Sequence, residues 1–132
     1  MKGAGSTVLS AAVLSLAVSA HAGDIYLIAN PALKLTPDEA REVFLGEKQL
    51  DGSTKIVPFD NASAQAEFLD RVYKMDVAKY NTLWAKKGFR DGLNPPAVKG
   101  NDLEVINAVK AKPGGVGYVT TMPSGVTVIR KY

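Results

Sequence analysis

Leu35-Thr-Pro-Asp-Glu-Ala-Arg-Glu-Val-Phe-Leu-Gly46 reads as one helix with both of its ends written into it. Thr36 can accept a hydrogen bond from the N–H of Glu39, and Glu39 can reach back to the N–H of Thr36, a capping box that satisfies donors the helix leaves unpaired. Pro37 falls at the first helical position, where its fixed φ and missing N–H are tolerated. Asp38 and Glu39 put negative charge on the positive end of the helix dipole. Gly46 can adopt the left-handed conformation that closes the last turn. Ala40, Val43 and Phe44 share one face, and Arg41 and Glu42 face water.

Working outward, Asp24-Ile-Tyr-Leu-Ile-Ala29 is a short, nearly continuous apolar run, and Asn30-Pro31 ends it. Apolar residues on both faces predict an interior strand of an α/β sheet rather than an edge strand. After the helix comes a polar turn with Asp51-Gly52, then Lys55-Ile-Val-Pro-Phe59 as a second strand. Pro58 has no ladder donor and belongs at that strand's end or on an edge. Strand, helix and strand over this length predict a right-handed βαβ unit.

A second helix is expected from Asn61 or Ser63 to about Lys74, with Phe68, Leu69, Val72 and Tyr73 on one arc. Asp76 can cap a third from Val77 to about Lys87, closed by Gly88, with Val77, Tyr80, Leu83 and Trp84 inward. Phe89-Arg-Asp-Gly-Leu-Asn-Pro-Pro96 interrupts helical structure. Asn101-Asp-Leu-Glu104 is a second capping box, opening a helix to about Ala111 whose apolar arc is Leu103, Val105, Ile106 and Val109. Pro113-Gly114-Gly115 turns the chain into Val116–Thr120, Met122-Pro-Ser-Gly125 is a turn, and Val126 to Ile129 is a last strand. The final two strands are close enough for a hairpin. The expectation is one α/β lobe, three-layer-like, with a mixed and mainly parallel sheet.

The first 22 residues read as a secretory signal peptide: Lys2, an apolar run from Val8 to Val18, and Ala20-His21-Ala22 as the cleavage pattern. Its removal leaves about 110 residues, enough for one modest domain, and places the chain in the periplasm. Without Lys2 there are 15 basic and 13 acidic side chains. That mild excess, with no basic run, gives no support for nucleic-acid binding, and no later segment is apolar enough for stable membrane insertion. The chain has no Cys, and its one His, His21, leaves with the leader. The mature protein therefore offers no thiol nucleophile, no Ser-His-Asp triad and no His/Cys metal site. No cofactor is expected.

Ligands of open α/β sheets collect beyond the carboxyl ends of strands, near helix N-termini. Asn30–Thr36 qualifies, but Thr36 is engaged by its own cap. Pro113–Gly117 has the wrong order for a phosphate loop, because a helix leads into a strand and the Lys-Ser/Thr pair is missing. Asp60-Asn61-Ala62-Ser63-Ala64 follows a strand and opens a helix, so its N–H groups and small polar side chains suit an anion. Asp60 repels one unless it accepts a hydrogen bond from it. The candidate ligand-binding residues are Asn61, Ala62, Ser63 and Ala64.

Asn30-Pro31, Leu35-Thr36 into Val43-Phe44-Leu45-Gly46, Asp51-Gly52, Phe68, Trp84, Phe89, Gly92, Pro95-Pro96 and Pro113-Gly-Gly-Val-Gly-Tyr-Val119 occur in that order. This series resembles the phosphate-type substrate-binding proteins of ABC transporters, in particular small single-lobe periplasmic members. The resemblance implies a periplasmic-binding-protein type II fold, no enzymatic activity, and binding of phosphate or a related oxyanion. In two-lobed members a Ser-Gly-Thr sequence at a helix N-terminus helps to hold the anion. The stretch that matches it is Asn61-Ala62-Ser63 or one residue later, without the Gly and the Thr. The partner implied is a transporter permease. The eroded motif leaves a second role open, an interaction module docking on an envelope transporter, channel or sensor protein.

Overall fold

The computed structural model describes residues 23–132, and the expected signal peptide lies outside the described residues. Strand β1 (Tyr26–Ala29) is buried at every position and runs between two neighbours, as its uniformly apolar sequence requires. Helix α1 (Pro37–Val43) follows, then a small hairpin of β2 (Leu50–Asp51) and β3 (Thr54–Lys55), then β4 (Val57–Asn61). Helices α2 (Gln65–Tyr73) and α3 (Val77–Asp91) lead to β5 (Ala97–Lys99), helix α4 (Asp102–Ala111) to β6 (Gly115–Val119), and a loop to β7 (Thr127–Lys131). The five-stranded sheet has the order β5-β4-β6-β1-β7.

The expected α/β class and mixed sheet are observed, but two expected connections are not. β4 pairs in parallel with β5 and β6, whereas β1 pairs antiparallel with both β6 and β7. β1 and β4 are therefore opposed and separated by β6, so they form no βαβ unit. The turn at Asp51-Gly52 is the tip of the β2–β3 hairpin, and this extra reversal sends the chain into β4 in the opposite sense. The expected hairpin of the last two strands is also absent: β1 fills the place between β6 and β7, which run in the same direction. Pairings divide evenly between parallel and antiparallel. Pro58 lies near the start of an interior strand, before β5 begins to pair at Phe59, so no ladder bond to β5 is lost there.

Alternation along β1 and β6 sorts two apolar layers. Leu27, Ala29, Val116 and Tyr118 meet α1, α2 and α3, while Tyr26, Ile28 and Val119 join Phe59, Val105 and Val109 of α4 on the other face. In the larger layer Phe68 stacks on Tyr118, centroids 3.7 Å apart, and Phe44 meets both rings edge-on.

The capping box of α1 forms as read, with both Thr36–Glu39 bonds in place. Past its end, Gly46 has φ +73°, and a Cβ there would come within 2.7 Å of the Trp84 ring. Trp84 in turn donates its indole N–H to the Phe44 carbonyl at 3.2 Å, which clamps α1 to α3. Asp76 caps α3 through the N–H of Lys79. That helix does not close at Gly88; it continues to Asp91 and stops at Gly92, φ +69°. The Phe89–Asp91 stretch expected to break the helix is thus its last turn, and Phe89 is 97% exposed. β5, which no strand signal announced, follows the Pro95-Pro96 pair. At α4, Asn101 accepts from Glu104 N–H as expected, but the Glu104 carboxylate turns to Gly100 N–H rather than to Asn101, and Leu103 is exposed.

Candidate functional site

Two successive connections decide where a ligand can collect. After β4 the chain leaves to the α2/α3 face, and after the adjacent parallel β5 it leaves to the α4 face. A crevice opens at such a switch point, beyond the carboxyl ends of the two strands. Asn61 and Lys99, paired in register, end those strands, so the four candidate residues Asn61–Ala64 lie at the carboxyl end of β4, next to this switch point.

Their local chemistry differs from the expectation. Asn61 is the last residue of β4, fully buried, and caps no helix. Its amide donates to Asp102 Oδ1 (2.8 Å) and the Tyr118 carbonyl (3.0 Å), and its Oδ1 accepts from Ser63 N–H (3.0 Å) and the Ser63 hydroxyl (2.6 Å). Ala62 N–H donates to the Lys99 carbonyl and Ala64 N–H to the Asn61 carbonyl. The N–H groups of residues 62, 63 and 64 are all consumed in holding the loop shut. Helix α2 starts at Gln65, two residues beyond Ser63 and four beyond Asn61, the two expected starts, with Ala64 in the cap position and no capping side chain. The open donors are therefore those of the first turn, Gln65 to Glu67, which have no intrahelical partner.

The second helix end at the crevice is already occupied. Asp102 accepts from Asn61, from Thr120 N–H and hydroxyl, and from the Thr121 hydroxyl. Burial works against its charge, but bonds from Thr120 and Asn61 hold its carboxyl below the usual range. Asp102 thus ties α4 to the loop after β6.

Asp60, which sequence reasoning treated only as a repulsive neighbour, is the most unusual group here. It is 1% exposed and accepts from the hydroxyls of Tyr80 (2.8 Å) and Tyr118 (2.7 Å). Among the described residues none of the ion pairs includes it. Burial pushes its carboxyl up to about 6, against the opposing effect of bonds from Tyr118, Tyr80 and Gln65. Burial, together with the Asp60 charge, pushes both tyrosines above their usual range, so they remain donors.

The sign of the resulting pH effect follows from linkage. The folded chain holds the Asp60 proton more tightly than the unfolded chain, so ionising it costs stability as pH rises from about 4 to about 7. Raising this carboxyl from its ordinary 3.8 to about 6 corresponds to about 3 kcal/mol. Asp102 acts oppositely and only in more acid solution, because its folded value is lowered. Urea unfolding should therefore show greater stability at pH 5 than at pH 7.5, and Asp60→Asn should flatten that difference. An Asn variant that keeps the full wild-type slope would assign the effect elsewhere.

The other places considered are structural. Asn30 donates to the Val109 and Lys110 carbonyls at the end of α4 and accepts from Ala32 N–H. Glycines 114, 115 and 117 permit close packing: a Cβ on each would strike Lys55, Val109 or Val105. No group of three or more His, Cys, Asp or Glu among the described residues is placed to hold a metal ion, and no helix among them is long and apolar enough to cross a membrane. Neither the models of known protein families nor curated protein sequences match the chain.

Proposed function

We propose that this chain is a secreted, non-enzymatic domain of the periplasmic substrate-binding type that takes phosphate or a related oxyanion for an ABC transporter. The observation that carries this reading is the uncapped start of α2 at the sheet's switch point. Unpaired N–H groups and the positive end of a nine-residue helix meet at the crevice where such folds collect ligands. The ligand sits on the first turn, Gln65 to Glu67, with the Ser63 hydroxyl at the rim, rather than inside the Asn61–Ala64 loop. Asp60 lies one residue before Asn61, so the anion it tolerates is one that carries a proton to donate. The ordered motif series and the helices on both faces of a mixed sheet agree with the binding-protein lobe.

Calorimetry and thermal-shift titration with phosphate, sulfate and arsenate test the proposal. A ligand present at about a hundred times its dissociation constant stabilises by roughly 2.7 kcal/mol, and the expected result is a saturable rise in melting temperature with at least one of these anions. No response at millimolar concentration, in a chain shown to be folded, refutes anion binding.

A further inference from the structure

On the α2/α3 side of the sheet, Asp60 forms part of the wall of a cavity of about 460 Å³. Tyr80 and Trp84 of α3, Gln65 of α2, and Pro95 and Pro96 of the segment before β5 line the rest of it. Residues at its mouth, among them Asn81 and Asn94, are exposed, so the space communicates with solvent. Tyr80 and Trp84 lie edge-to-face, 6.5 Å between centroids.

This is an uncommon combination. A carboxylate removed from water is normally neutralised by a cation or an equivalent set of donors. Asp60 has two tyrosine hydroxyls, a further bond from the Gln65 side chain and no ion pair, and an ionised carboxylate has room for about four donors. Aromatic rings beside the unused capacity add the negative π faces that attract cations. An anion entering the cavity meets the Asp60 charge. A neutral apolar molecule leaves that charge as uncompensated as before. A neutral donor supplies a hydrogen bond without counter-charge, and a cation supplies both.

We propose that this cavity is a binding site for a small organic cation, an ammonium or guanidinium group, with its charge against Asp60 and its carbon skeleton against Trp84 and Pro96. The site does not rest on the oxyanion reading, and its probes are different molecules. At pH 7 an acid titrating at about 6 is roughly nine-tenths ionised, so the counter-charge is present under ordinary conditions.

Trp84 is the one tryptophan in the chain and lines this cavity, so its emission responds to a ligand there, and the Asp60 variant separates that response from changes in the neighbouring groove, which Trp84 also lines. The full chain is titrated at pH 7 and constant ionic strength with n-butylammonium, guanidinium and the neutral isostere n-butanol. The expected result is a saturable change with at least one cation, and binding at least tenfold weaker with butanol. Asp60→Asn, its fold checked by melting, should abolish the response. A measurement on the unmodified chain supports the same point: at pH 5 the cation should bind roughly tenfold more weakly, because Asp60 then takes up its proton. The titratable groups facing Asp60, Tyr80 and Tyr118 with Tyr73 beyond them, keep their protons throughout this range. Absence of a saturable change with either cation, an equal response to butanol, or unchanged affinity in the Asn variant or at pH 5 would overturn the proposal.

Discussion

Gly114→Ala is expected to lower the melting temperature by at least about 10 °C, because the new methyl has nowhere to go. A Cβ at Gly114 would sit 1.8 Å from the Lys55 carbonyl oxygen, 2.9 Å from its carbon and 3.2 Å from Ile56 Cα. All three are backbone atoms, so no side chain can swing aside. The same contact carries a ladder bond, since Gly114 O accepts from Val57 N–H at 2.8 Å. Moving the α4–β6 turn away to relieve the clash would pull β6 off β4 at the start of their pairing. Overpacking of this kind costs about 3 kcal/mol or more, and each kcal/mol moves the midpoint of a domain this size by roughly 4 °C. Gly52→Ala is the control. Gly52 also has a special conformation, φ +61°, but open space around it, so it should cost only about 1 kcal/mol. Equal melting of the two variants would show that the close approach at Gly114 is not what the residue is for.

Tyr118→Ala should leave little folded protein at 25 °C. The ring is fully buried and stacked on Phe68, and Phe44 meets it edge-on. Truncating a core aromatic costs about 4 kcal/mol, and Asp60 would lose one of its two tyrosine donors, worth about 2 kcal/mol more. Together these approach the whole stability of many domains. Tyr118→Phe separates the two contributions, since it keeps the stack and removes only the hydroxyl. It should lose about 2 kcal/mol at pH 7.5, where Asp60 is charged, and less at pH 5, where it is largely neutral. Urea denaturation at both values is the measurement, and a loss below about 0.5 kcal/mol at pH 7.5 would show that the Tyr118–Asp60 bond contributes nothing.

What could be read in advance was what is written locally. The Thr36–Glu39 cap, the Asp76 and Asn101 caps, the inward arcs of Tyr80 and Trp84, and the interior position of β1 all follow from residues within a few positions of one another. Strand direction does not. It turned on whether Asp51-Gly52 was a plain turn or the tip of a hairpin, and two-residue strands carry almost no periodicity to say so. Helix α3 ran through Gly88 because a single helical glycine costs only about 1 kcal/mol, and burial of Tyr80 and Trp84 outweighs that. At the site, the stretch 60–64 was legible as a strand-to-helix junction, but its internal bonding was not. Asn61 is satisfied by Asp102 and Tyr118, and Asp60 by Tyr80 and Tyr118, partners 20 to 58 residues away. The one available signal was Asp60 directly after the apolar run Ile56–Phe59, a position that demands donors from elsewhere in the fold.

The placement of β1 also governs the order in which the molecule can assemble. Among the described residues its only sheet partners are β6 and β7, so the first strand finds its partners in residues 115–131, about ninety positions further on. Until those residues are made, Tyr26–Ala29 is an apolar segment with both edges unpaired, and contacts this distant in sequence form slowly. A chain that stops short of those residues cannot complete this sheet, and its exposed apolar strand is prone to aggregation. The antiparallel strand that sits where a parallel one was expected is therefore also a timing device: the sheet closes only once residues 115–131 have been made.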